Sequence, residues 1–209
     1  MIPVKILAVR YLANASPALA KGLGAPEGLP SLGMLTTDCD DATYIALDAA
    51  TKAADVQVSY GRSFYAGAAN ASTPNAGEVI GILAGATPGA VRSGMEAALF
   101  ALERVGFDET NRVPFLAHTV ASVGSFLAQE AGVPVGSAIA YLIAPPLEGM
   151  YAMDAALKAA DVRLCKLYAP PSETNFGGGL LSGTQSACSA ACAAFAAAVA
   201  EVAANPRER

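Results

Sequence analysis

The sequence predicts two α+β domains in tandem, and three observations carry that expectation. The phrase DAATKAADV at 48–56 returns as DAALKAADV at 154–162, with eight of nine positions identical and each position offset by 106 residues. Around each copy runs one order of elements: strand, helix, strand, loop, strand, long helix. Each half of the 209-residue chain is also about as long as an independent core requires, roughly 100 residues. That period is too long for a solenoid, so duplication of a whole domain explains it.

The elements follow in order. VKILAVRYL alternates in polarity as a strand does and is followed by a short helix in SPALAKGLG. SLGMLTT at 31–37 is the next strand, and Asp40 or Asp41 can cap the repeated helix that follows by accepting from its free N–H groups. VQVSYGRSF at 56–64 and EVIGILAG at 78–85 are strands on either side of the loop 65–77. The helix at 87–105 starts with Thr87 as cap and Pro88 in the first helical position. The second half repeats the plan. FLAHTVAS and VGSFLAQEAG come first, then a strand and the repeated helix over 137–162, VRLCKLY at 162–168, and the loop 169–179. GLLSG at 179–183 and a helix over 186–204, stopped by Asn205-Pro206, complete it. The join falls near 106–114, giving domains 1–109 and 110–209.

Composition narrows the function. A net charge of −5 and no cluster of Lys or Arg argue against a nucleic-acid partner. The run AACAAFAAAVA at 190–200 is short of the roughly 20 residues of a membrane span, so no membrane partner is expected. The N-terminal apolar run contains Arg10 and alternates, which favours a strand over a secretion leader and a cytoplasmic setting. With 54% hydrophobic and 15% charged residues, little polar surface is left for a lone subunit, a hint of subunit contacts.

Cys188 and Cys192 share a helix face without a further ligand nearby, which suggests buried apolar residues rather than a metal site. His118, the single histidine, lies in a strand; no GxSxG, GxGxxG or Walker-type motif accompanies it. No catalytic set, metal or cofactor is expected. Asp48, Lys52 and Asp55 form a stripe on one helix face, repeated by Asp154, Lys158 and Asp161. On pattern alone this is a solvated stripe with an Asp–Lys pair worth about 0.2–0.5 kcal/mol. The acids Asp38, Asp40 and Asp41 can be capping residues, and loops at 65–77 and 169–179 can be plain connections.

The phrases DCDDATYIALDAATKAADV, YGRSFYAGAANAS, AYLIAPPLEGMYAMDAALKAADV, APPSETNF and GTQSACSAACAAF resemble a known family, the bacterial microcompartment shell proteins. The likeness is to their tandem-domain, trimeric, circularly permuted type, in the form found in ethanolamine-utilisation microcompartments, and it covers nearly the whole chain. It implies two ferredoxin-like domains and a homotrimer acting as a pseudohexagonal tile beside other shell proteins in the cytoplasm. It places Lys52 and Lys158 on the tile edge, where a long stem can lie along a neighbour while the ammonium meets carbonyls. It maps a small ethanolamine channel onto Asp40, Glu78 and the backbone near Phe107. It makes the two loops, with Tyr65, Gly67, Asn70, Asn175, Phe176, Gly177 and Gly178, the gate of a central pore. The alternatives from the sequence are a tandem regulatory module binding a small molecule, and a shell protein serving a diol.

Overall fold

The computed structural model describes residues 1–65, 77–170 and 172–207. The chain divides into two compact units that exchange short segments. The first comprises Pro3–Gly106 with Gly124–Leu127; the second comprises Met1–Ile2, Phe107–Val123 and Ala128–Arg209.

The first unit is built on a four-stranded antiparallel sheet in the order β1-β2-β4-β3, from β1 (Ile6–Leu12), β2 (Ser31–Thr37), β3 (Val56–Ser63) and β4 (Val79–Gly85). Strand alternation sends Leu32, Ile82 and Ala84 to a face shared with Ala15 and Ala20, beside α1 (Pro17–Gly22). The opposite face takes α2 (Asp40–Ala53) and α3 (Pro88–Leu102). Two strand glycines make that approach close. A Cβ on Gly81 would meet Leu47 Cδ1 at 2.6 Å, and one on Gly33 would meet Val91 Cγ1 at 2.7 Å. Thr87 caps α3 as its sequence indicates, accepting from Ala90 N at 3.1 Å. At α2 the acids do not cap. The cap residue is Cys39, which makes no side-chain cap hydrogen bond; inside the first turn Asp40 Oδ1 accepts from the adjacent Asp41 N. The hydroxyls of Thr37 and Thr43 stand 2.7 Å apart beside the Cys39 carbonyl instead.

The second unit has a five-stranded antiparallel sheet, β5-β6-β7-β9-β8. Its strands are β5 (Asp108–Thr110), β6 (Val113–Val120), β7 (Ala138–Ala144), β8 (Val162–Tyr168) and β9 (Gly177–Gly183). β5 is an addition to the sequence reading, made by a tight turn through Asn111 and Arg112, both at positive φ. The helices are α4 (Ser125–Ala131), α5 (Pro146–Ala159) and α6 (Gln185–Ala204). α6, capped by Thr184 accepting from Ala187 N at 3.1 Å, is apolar and long enough by length and composition to cross a bilayer. Here Cys188, Ala191, Cys192, Phe195, Ala198 and Val199 are buried in the core that α6 shares with α5 and the sheet. Both cysteines are therefore packing residues, and burial raises their thiol pKa values.

Candidate functional site

A cluster of buried polar side chains in the first unit lies where β2 runs into α2. Asp40 and Asp41 are both buried, which is unusual for carboxylates. Asp40 Oδ1 accepts from Asp41 N at 2.9 Å, and Ser63 at the end of β3 also bonds its carboxylate. The Ser63 hydroxyl in turn lies 2.6 Å from Tyr44 Oη on α2. Glu78 is placed by backbone pairing: its N–H donates to Thr37 O at 2.9 Å, and its carbonyl accepts from Phe64 N at 2.9 Å. Asp38 is fixed by the N–H of Lys5, which donates to Oδ1 at 2.7 Å.

Burial pushes the Asp40 carboxyl above its ordinary range, opposed by the hydrogen bonds from Ser63 and the Asp41 amide. Glu78 is raised as well, first by burial and then by the negative charges of Asp40 and Asp38. Asp38, Asp40 and Glu78 thus share one electrostatic neighbourhood, and among the described residues no cation contributes to the shifts of Asp40 and Glu78. Ser63 and Tyr44 offer hydroxyl partners next to it. Sequence reasoning did not single these two out, because Ser63 comes from a strand end 23 residues away from Asp40, with no motif linking them.

Of the three channel residues expected, the structure brings Asp40 and Glu78 together. Phe107 belongs to the second unit, just before β5. Its carbonyl accepts from Ile2 N at 2.6 Å, and its ring meets Phe176 edge-on with centroids 5.6 Å apart.

The loop residues are distributed less simply than their sequence suggests. Tyr65 is exposed, while Gly67 and Asn70 lie outside the described residues. Asn175 has φ 65°, the left-handed region that asparagine tolerates. Gly177 and Gly178 are not loop residues. Both are in β9, paired with Ala144 and Ile143, and their backbone is fixed by the ladder rather than free.

The repeated Asp–Lys stripe is also unequal in its two copies. Lys52 Nζ lies 3.2 Å from Asp48 Oδ2, and Asp48 is wholly buried. Asp48 Oδ2 accepts from Gly124 N at 2.8 Å, and its Oδ1 accepts from Leu127 N at 2.9 Å. Lys158 and Asp154 pair at 2.5 Å with both side chains mostly exposed. A solvated stripe describes the second copy only.

Known proteins define the class first. The BMC domain family matches residues 31–112, which span the run from β2 to β5; this is the domain of bacterial microcompartment shell proteins. A bacterial microcompartment shell protein EutL from Clostridium perfringens is 57% identical, with 99% of this chain and 97% of that relative covered. The EutL of Salmonella typhimurium is 46% identical over 100% of this chain and 97% of the relative. The crystal structure of the ethanolamine utilization protein EutL from Leptotrichia buccalis superposes with a TM-score of 0.95 at 56% identity, covering 100% of this chain and 98% of that one. This chain belongs to the EutL family of bacterial microcompartment shell proteins. The α+β class and the tandem, permuted shell-domain architecture expected from sequence hold.

Proposed function

We propose that the chain is a structural and transport component of an ethanolamine-utilisation microcompartment shell in the cytoplasm. Its likeness to EutL over the full length carries this reading. In it, domains 1–109 and 110–209 are two shell domains, three copies make a pseudohexagonal tile, and other shell proteins border that tile. Lys52 and Lys158 meet neighbouring tiles. Both side chains have exposed area at the ends of equivalent helices, as an edge contact needs. The chain acts without a cofactor and without catalysing a reaction.

Purified protein is expected to grow into two-dimensional layers visible by electron microscopy. The Lys52→Gln/Lys158→Gln double variant is expected to keep its trimers and lose the layers. Glutamine is the right replacement, since an acid at position 52 would stand against the buried Asp48 carboxylate. Layers in the double variant would remove the lysines from the tile edge.

Ethanolamine is the proposed ligand of the acid cluster. It carries one positive charge and a hydroxyl, matching Asp40 and Glu78 on one side and the Ser63–Tyr44 hydroxyl pair on the other. Phe107 supplies a backbone group in the same reading, and Tyr65, Gly67, Asn70, Asn175 and Phe176 belong to the pore-gating segments, with Gly177 and Gly178 as the fixed β9 anchor of the second segment. A channel must release what it binds, so a millimolar constant, about −4.1 kcal/mol, suits passage. Calorimetric titration is expected to show binding at least about tenfold weaker in Asp40→Asn/Glu78→Gln, a loss of about 1.4 kcal/mol or more. The sign of the pH effect follows from the raised carboxyls. They take up protons at a higher pH than ordinary carboxylates, so binding falls while exposed acids are still charged. Equal affinity in the double variant would exclude both residues.

A further inference from the structure

We infer that Tyr44 and Ser63 make the acid cluster selective for a ligand hydroxyl that donates its proton, and that Phe126 is the positioning residue that holds Tyr44 for this task. The step rests on the ethanolamine reading of the cluster and adds what is recognised in the ligand besides its charge.

The Tyr44 ring is held on two sides. On one side is β3 at Gly61, where an added Cβ would stand 3.3 Å from Tyr44 Cε1 and 3.6 Å from Phe126 Cζ. The missing side chain lets both rings lie against the strand. On the other side is Phe126, whose ring centroid is 5.9 Å from that of Tyr44 at an angle of 49°. Phe126 in turn sits in a segment that α2 clamps. Asp48 accepts from Gly124 N at 2.8 Å and from Leu127 N at 2.9 Å. Thr51 Oγ1 accepts from Ser125 N at 3.1 Å. Tyr44, Asp48 and Thr51 are spaced i, i+4 and i+7, so one face of α2 carries the ring and the clamp that fixes its neighbour. The backbone on both sides of Phe126 is pinned to the helix that bears Tyr44.

Held in this way, Tyr44 Oη lies 2.6 Å from Ser63 Oγ, and Ser63 bonds the Asp40 carboxylate. Counting protons fixes the direction of this chain. An ammonium ligand keeps Asp40 ionised, and an ionised carboxylate only accepts. Ser63 has a single hydroxyl proton and commits it to Asp40, so Tyr44 is the donor in its contact with Ser63. Both protons then point toward Asp40, and what the two oxygens present to a ligand is lone pairs. Beside the carboxylates of Asp40 and Glu78, they complete a wall of acceptors. The acids take the ammonium, and Ser63 or Tyr44 takes the proton of a ligand hydroxyl. An ether oxygen, which only accepts, finds no proton on either hydroxyl.

Two isosteric pairs of amines test this on the full chain by ligand-observed NMR titration. Ethanolamine and propylamine differ by a hydroxyl in place of a methyl. The ether 2-methoxyethylamine and butylamine differ by an oxygen in place of a methylene. All four carry one positive charge, so the ratio within a pair cancels the contribution of the acids. Wild type is expected to bind ethanolamine about tenfold tighter than propylamine, and 2-methoxyethylamine no tighter than butylamine. Tyr44→Phe/Ser63→Ala should bring the first ratio to within about twofold of one with propylamine still bound. Phe126→Ala should lower it at least about threefold. A role confined to stability would weaken both amines alike and leave the ratio where it was. Tighter binding of 2-methoxyethylamine than butylamine to wild type overturns the proton direction. An unchanged ratio in the double variant removes Tyr44 and Ser63 from recognition, and an unchanged ratio in Phe126→Ala removes its positioning role. In these three cases ethanolamine binding that still depends on Asp40 and Glu78 leaves the channel reading standing. Failure of all four amines to bind wild type overturns both.

Discussion

Replacing Asp48 with alanine is expected to destabilise the protein by about 3–5 kcal/mol and lower Tm by roughly 10 °C. The estimate follows from what the carboxylate holds. Two buried backbone amides, on Gly124 and Leu127, lose their acceptor, and each such group costs about 1–3 kcal/mol when left unmade. Lys52 loses its counter-ion at the same time. Asp48→Asn keeps one acceptor oxygen and is expected to fall between wild type and alanine. Asp154→Ala, a change of the same letter in the same phrase, is expected to shift the melt of the dilute, unassembled chain by no more than about 0.5 kcal/mol. Its side chain is exposed and pairs with the neighbouring Lys158. Thermal melts of the three variants check the order. Equal losses for Asp48 and Asp154 would contradict the account.

Gly178→Ala is the second large effect expected, with a loss above about 4 kcal/mol or failure to accumulate as soluble protein. Gly178 pairs with Ile143 across the β7–β9 ladder at φ 155°. An added Cβ would stand 1.9 Å from the carbonyl oxygen of Leu142, a backbone atom held in the middle of the sheet. Nothing there can move cheaply. Gly177→Ala is the matched control. Its Cβ would meet Pro170 Cδ at 3.1 Å, Met150 Cε at 3.2 Å and the Tyr168 carbonyl oxygen at 3.3 Å, none as close as the Leu142 oxygen is to a Cβ on Gly178, and the flexible Met150 end can give by a few tenths of an ångström. A change within about 1 kcal/mol is expected. Soluble yield and melting of the two alanine variants distinguish a fixed ladder from a pliable loop.

The sequence revealed most of the architecture because its signals are local. Thr87 and Pro88 announce α3, alternation marks β1, and the repeated phrase marks α2 and α5. What escaped it depends on partners far along the chain. Asp48 and Asp154 are the same letter in the same phrase, and only the presence of residues 124–127 against one of them makes it a buried acceptor. Gly177–Gly179 read as freedom because glycine suits loops, yet here the missing side chains let strand backbones and Met153 come close. Asp40 and Asp41 read as caps from their position, but Cys39 occupies the cap and Asp40 turns to Ser63. In the site, the acids were visible as letters and as a family likeness. The hydroxyls beside them were not, since β3 brings Ser63 back to α2 only in three dimensions.

The duplication also limits arithmetic. Each chain brings two repeats in covalent union, so any closed ring made from it alone contains an even number of them. Five-membered closure, the usual way to bend a hexagonal net into a corner, is out of its reach. Curvature in a surface containing this chain has to come from a different polypeptide, one that carries a single repeat or another fold.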